Sequence, residues 1–511
     1  MNRARCILLI LTAFWALQLR AQDNHYWYQT FGAHNGALGG NVVAGVRDNS
    51  ALYYNPGAIG FNSLANLSIG GTVYGYNHTS LNDALGEGIG LSSNSLLTFP
   101  QLVAGTVGFN KEEEENPWRL TFGLLTRQYS SKRFDQAYTE VGPDIIAAIP
   151  GEERFTGSLF YENNLFEYWI GLGMGRKLGK HHAIGASLFG TIRSQKSRFE
   201  VTRRADFPET ENITLPDGNT VPYYWTEIRS LQGYSIQTTS LILKLGWAYE
   251  KEDWKLGATV TIPSLPIRLT SLGIGAANVV RDQSQLNLGI PYDPSFVQEF
   301  LLGDLTVYNK EIKVPATYLN PTSISFGVQR DFPNSRIMFS AEYFLPINRY
   351  TVVDAQSQNS IVNPPNYFLG INEDNYADVA EQHRQVLNVG VGYEYNWDSS
   401  FYLHAGFRTD FSYSVDQSEY FNSAELSLTS LPLNFYHVSL GGTFARPRGY
   451  LTLALDQAFA GKKEIESLVN FRNPVDFDPQ SNTRLEGVES ASGSAFVYQV
   501  TLIVGYTLVF F

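Results

Sequence analysis

A chain of 511 residues is long enough for about two to four soluble domains, yet only 17% of it is charged, below the roughly 25% of soluble proteins, while aromatics reach 14% and glycines number 45. The formal charge of −12 excludes nucleic acid as a partner, because no basic patch is available to neutralise phosphates. No apolar run beyond the N-terminus could span a bilayer as a helix, so this composition fits a transmembrane β-barrel, with one strand face toward lipid and the other toward the lumen.

Arg3 and Arg5 precede an apolar run from Ile7 to Leu19 that is too short to span a membrane, and Ala21 supplies a small residue before Gln22. Residues 1–21 therefore read as a signal peptide removed on secretion. The only cysteine, Cys6, falls inside it, so the mature chain is expected to have no disulfide, no lipidated cysteine and no thiol chemistry.

Residues 36–59 read GALGGNVVAGVRDNSALYYNPGAI. Small residues dominate the first half, and Asp48, Ser50 and Ala51 precede Asn55-Pro56-Gly57. Glycine and alanine let backbone pack closely inside a bore, and Asn-Pro-Gly enforces a tight turn.

Fourteen strands are predicted, starting near Leu67, Leu96, Trp118, Leu165, His182, Ile236, Trp254, Thr322, Arg336, Gln385, Phe401, Phe435, Tyr450 and Ala495. Alternation is the signal. Leu241, Leu243, Leu245, Trp247 and Tyr249 share one face, with Lys244 and Gly246 on the other; Ile170, Leu172 and Met174 alternate with Gly171, Gly173 and Gly175. Such segments are apolar outward and small or polar inward. Lys177–Lys180 and Asn396–Ser400 read as short periplasmic turns, and Asp206–Tyr234, Gly273–Pro315 and Val352–Glu381 as long exterior loops. The charge run Lys111–Glu115 and the acidic stretch Glu373–Asp378 read as solvated.

From Phe496 to Phe511 the chain alternates without a proline or a charge. Phe496, Tyr498, Val500, Leu502, Val504, Tyr506, Leu508 and Phe510 form the outward stripe, with Val497, Ile503 and Val509 on the opposite face. Aromatics near both ends suit the two membrane interfaces. The terminal Phe511 resembles the recognition signal of bacterial outer-membrane barrels, although it falls on the face opposite the stripe.

Lys244 and Arg408 are predicted to face inward and are the candidates to hold a ligand carboxylate. Glu342, Glu394, Asp410 and Asp456 also point inward, so a lumenal salt-bridge network is the other reading of the same residues. His404, His437 and Ser439 lie on inward faces too, but inward faces of any barrel are polar. There is no phosphate-binding loop, no His-Glu-x-x-His and no EF-hand loop. Neither an enzyme nor a cofactor or metal is expected.

The stretch before the first strand resembles the N-terminal hatch of the FadL/OmpP1/TodX family of outer-membrane transporters of hydrophobic compounds. Asp48-Asn49-Ser50-Ala51 and Asn55-Pro56 match its Asp-x-Ser-Ala and Asn-Pro-Ala pattern, with Gly57 in place of the usual alanine. The resemblance implies an all-β transmembrane antiparallel barrel of about fourteen strands, divided into a signal peptide (1–21), a hatch (22–64) and the barrel (65–511). It implies a place in the outer membrane among its lipids, and hydrophobic small molecules (fatty acids or hydrocarbons) as partners. Asn55, Pro56 and Gly57 would sit at the hatch turn, braced by Asp48 and Ser50. Release is expected through the wall at a kinked third strand; here Trp118–Tyr129 has Gly123 and no proline. A docking or shuttle role in protein secretion, and a general porin, are the alternatives.

Overall fold

The computed structural model describes residues 24–62, 65–108, 116–146, 151–207, 225–268, 274–288, 313–354, 378–415, 432–476 and 492–510, with the short stretches 213–214, 220–221, 305–309, 361–362, 426–427 and 485–488. The leader, Lys111–Glu115, all but the last residue of Glu373–Asp378, and Phe511 lie outside the described residues.

Fourteen antiparallel strands close into a ring. They are β1 (Ala65–Asn82), β2 (Leu91–Gly108), β3 (Arg119–Val141), β4 (Arg154–Leu178), β5 (His182–Asp206), β6 (Trp225–Lys251) and β7 (Trp254–Thr261). They continue as β8 (Ser323–Phe332), β9 (Ser335–Phe344), β10 (Val386–Asp398), β11 (Phe401–Asp410), β12 (Phe435–Arg446), β13 (Gly449–Glu466) and β14 (Ser492–Val509). Each pairs with the next, and β14 closes on β1 from Asn66↔Val509 to Asn82↔Ser494. Closure leaves no free sheet edge, as a bilayer requires.

Burial follows the alternation. Ile170, Leu172, Leu188, Leu243 and Leu440 are exposed on the outer face, whereas Lys244, Asn388, Glu394, Arg408 and Ser439 are buried inward. Trp118, Trp254, Trp397, Tyr506 and Phe510 are exposed near the end that carries the short turns, forming an aromatic girdle at one interface. The apolar band and girdle make this a transmembrane barrel of the outer-membrane kind.

Two expectations needed correction. β4 and β6 begin at Arg154 and Trp225, well before Leu165 and Ile236, and the supposed loops Asp206–Tyr234 and Gly273–Pro315 contain strand. Ala276–Leu288 pairs along Trp225–Gln237 of β6. These extensions carry many charges (Arg198, Glu200, Arg203, Glu227, Arg229) on β5 and β6, which hide their short buried face of Phe155, Leu159, Val201 and Ala205. At 25 residues, β4 extends about 80 Å, more than twice what a bilayer-spanning strand of about 9–11 residues needs.

The wall is also uneven. β2 and β3 pair only from Leu102↔Leu125 to Gly108↔Arg119, although both strands continue outward beyond Leu102 and Leu125. Pro100 in β2 has no N–H to donate, β1 shifts register against β2 between Gly70 and Gly71, and β3 shifts against β4 between Thr126 and Gln128. The irregularity of the third strand is thus a bulge, which needs no proline.

Candidate functional site

Residues 24–62 lie against inward faces around the whole ring. The segment forms two short helices, α1 (Ala33–Ala37) and α2 (Ala51–Tyr54), and a 3-10 turn at Pro56–Phe61. Helix α1 touches β11, β12, β13 and β14, while the 3-10 turn touches β3 to β7 on the opposite side. The segment therefore crosses the bore from one wall to the other.

Close approach explains the small residues. A Cβ on Gly57 would stand 2.8 Å from the backbone of Gly246 and Trp247, and one on Gly246 would stand 2.4 Å from the Asn55 side chain. Gly406 lies similarly against Leu38 and Gly39, and Gly505 against Ala33. The inward-facing Ile503 of β14 is received by Ala33 and Ala37, so this apolar break in a polar face is matched by the segment.

The motif residues organise the segment. Asn55 Nδ2 donates to the carbonyls of Val43 (2.9 Å) and Trp247 (3.0 Å), and its Oδ1 accepts from the Gly57 amide at 3.0 Å. One buried side chain thus caps the turn begun by Pro56 and ties it to β6. Asp48 accepts from the Ser50 amide at 2.9 Å, from the Ser50 hydroxyl, and from Asn35 Nδ2 at 3.1 Å, so Asp48 and Ser50 link α1 to α2.

Further contacts give no sequence signal. Asn49 donates to Ala104 O (2.8 Å) and Ser68 Oγ (3.1 Å) and accepts from Thr106 Oγ1 (2.6 Å). Arg47 pairs with Glu250 at 2.9 Å, and His34 Nε2 meets Glu394 Oε2 at 2.8 Å. Burial pulls the His34 imidazole down, but the Glu394 carboxylate outweighs it and raises its pKa. Asn49 is the variable position of the motif, and Arg47 and His34 find their partners more than two hundred residues away.

The two predicted cations line one small cavity with Tyr26, Tyr53, Tyr54 and Glu342, with room for about one water. Their surroundings differ. Arg408 makes a bidentate pair with Asp456, both bonds 3.0 Å, and also donates to Trp27 O at 3.2 Å. Lys244 makes no ion pair among the described residues; its Nζ lies 4.3 Å from the centre of the Tyr53 ring, a cation–π contact. Burial pushes the Tyr53 phenol up to about 12, so that ring stays neutral. His437 and Ser439 both bond to Asp456, at 3.1 and 2.5 Å, rather than to each other, and the Ser–His arrangement a hydrolase needs is not formed by them.

At the unpaired stretch between β2 and β3, Phe99 stacks on Tyr129 at 5.0 Å and the Arg133 amide donates to Ser93 Oγ at 3.3 Å. A small cavity on the inner side of β1, β2, β13 and β14, with room for about one water, is lined by Tyr28, Thr30, Phe99, Gln101 and Ile503. Arg127, on the β3 bulge, turns inward toward the Tyr26 carbonyl and lies 5.7 Å from the Trp169 ring centre.

No family profile matches the chain, and no curated protein matches it in sequence. Solved structures do match in fold. A FadL homologue from Pseudomonas aeruginosa aligns at 13% identity with a TM-score of 0.50, over 97% of this chain and 100% of its own. The deltaS2S3 mutant of the TodX monoaromatic hydrocarbon channel aligns at 14% identity with a TM-score of 0.52, over 94% and 100%. The deltaS2 mutant of that channel aligns at 12% with a TM-score of 0.50, over 96% and 100%. In fold, this chain is similar to the FadL homologue and the TodX channel.

Proposed function

We propose that the chain is an outer-membrane channel for hydrophobic small molecules, with residues 22–64 as its hatch and the β2–β3 seam as its exit. The observation that carries this reading is the unzipped wall beside a segment that crosses the bore. A water-filled pore has no use for a lateral seam, whereas an apolar solute loses free energy on passing from a shielded lumen into lipid. The solved structures of similar fold include a monoaromatic hydrocarbon channel, which favours the same class of solute.

Within that reading, Lys244 is the better anchor for a carboxylate. Arg408 is already neutralised by Asp456, while Lys244 is buried beside Tyr53 and makes no ion pair among the described residues, Glu342 lying in the same cavity. Arg408 belongs instead to a bracing network with Asp456, His437 and the segment backbone.

The test is uptake of labelled toluene and oleate by a strain that lacks its own hydrophobic channels, with and without this chain. Faster uptake of either solute supports the proposal. Unchanged uptake of both, with a defect in protein export on deletion, would favour the secretion role and sink it. Lys244→Gln is expected to slow oleate several-fold more than toluene; equal effects would remove Lys244 as an anchor.

A further inference from the structure

Glu394 on β10 and His404 on β11 are direct cross-strand partners, and both point into the bore. His34 reaches the same point from α1. Glu394 Oε2 lies 2.8 Å from His34 Nε2 and 3.2 Å from His404 Nδ1, and one ligand atom from each of the three residues falls within 4.8 Å of the others.

The orientation of His404 is the informative part. Its Nε2 bonds the Thr443 hydroxyl at 2.8 Å, which in turn bonds Thr452 at 2.7 Å. That fixes the ring and aims Nδ1 at the carboxylate. Yet Nδ1 is buried without a hydrogen-bond partner, since its contact with Glu394 lacks hydrogen-bond geometry. A ring nitrogen held by its other nitrogen and pointed at a carboxylate and a second imidazole is the arrangement that a metal ion completes.

We propose that His34, Glu394 and His404 bind a first-row divalent cation of the zinc class, fastening the N-terminal segment to the barrel wall. Two imidazoles and one carboxylate suit such an ion, and water would fill the remaining position. Ligand atoms around a tetrahedral ion bonded at about 2.0–2.2 Å stand about 3.3–3.6 Å apart, so the 3.2 Å contact of Glu394 with His404 nearly fits as it stands and the 2.8 Å contact with His34 must lengthen. The nitrogens of the two imidazoles must draw together, and His34 is free to do so because it is partly exposed on a short helix. The same residues line a cavity of about 1390 Å³ of empty space, open mouth included, at the short-turn end of the barrel, which gives the ion a route in. Arg336 Nε holds Glu394 Oε1 at 3.1 Å, orienting the carboxylate and leaving Oε2 to the site. The site is independent of what the barrel carries.

The experiment is calorimetric titration of the detergent-solubilised, folded full-length mature chain with Zn²⁺, paired with visible spectroscopy of its Co²⁺ complex. One equivalent is expected to bind, with affinity falling about tenfold or more in His34→Ala and in His404→Ala, the scale on which even outer ligand-sphere changes act. The Co²⁺ spectrum of the bound state should revert to that of the hydrated ion in both variants. His34→Ala alters the segment and no wall strand, and gel mobility before and after heating verifies that each barrel is folded. Absence of Zn²⁺ binding, or binding unchanged in both variants, overturns the proposal. So does binding lost only in a His181→Ala/His182→Ala double variant, since that exposed pair is the competing site.

Discussion

Asn55 shows how one side chain can join local and long-range structure. It caps a turn through Gly57 and holds the turn to Val43 and Trp247. Asn55→Ala leaves these groups unsatisfied in a buried place, at about 1–3 kcal/mol each, and is expected to raise single-channel ion conductance as the segment loosens. Conductance equal to that of the unaltered protein would show that the turn is held by packing alone. Gly57 departs from the alanine of the resembling motif for a visible reason, because a Cβ there meets the backbone of β6 at 2.8 Å. Gly57→Ala is expected to destabilise the segment by about 1–3 kcal/mol, read as faster amide hydrogen exchange across residues 51–61 with the barrel strands unchanged. Asn55 and Pro56 stand out in the sequence as a turn. Their attachment to β6 does not, because nothing local encodes a partner 192 residues away.

At the scale of elements, the alternation locates every barrel strand but is weak where charges interrupt a short apolar face, as in the outer halves of β4 to β6, whose Phe155, Leu159, Val201 and Ala205 are nevertheless buried together. It is equally blind to pairing. The seam arises because β3 shifts against β4 while β2 loses a donor at Pro100, and neither event disturbs the hydrophobic period. The Phe99–Tyr129 stack bridges the gap, and such contacts contribute about 0.5–1.5 kcal/mol. Phe99→Ala is therefore expected to speed toluene uptake about two- to tenfold if the seam limits exit. Slower or unchanged uptake would place the exit elsewhere. The network on β11 to β13 has a different role. Asp456→Asn would leave the Arg408 guanidinium buried without its counter-charge and cost about 3–5 kcal/mol, measurable as a lower urea midpoint for barrel unfolding, whereas a ligand-binding role would alter uptake at constant stability.

For the whole molecule, the question is whether the segment moves. The Cβ of Asn41 lies 3.5 Å from the position a Cβ would take at Gly392, within the span of a disulfide, and the sequence has a single cysteine, Cys6, that a Cys6→Ser change removes as a competitor. An Asn41→Cys/Gly392→Cys variant is expected to lose uptake when oxidised and recover it on reduction. Full activity in the oxidised state would show that solute passes a fixed segment.

The sequence by itself determines the all-β class, the number of strands, their inward and outward faces and the turn at Asn55-Pro56, because lipid on one side and a lumen on the other impose the same two-residue rule on every strand. Only the tertiary structure decides which wall strands part, that Arg408 is paired while Lys244 makes no ion pair among the described residues, and that His34 meets Glu394 and His404. Those outcomes depend on ring closure and register, which bring together residues hundreds of positions apart and leave no periodic trace in the chain.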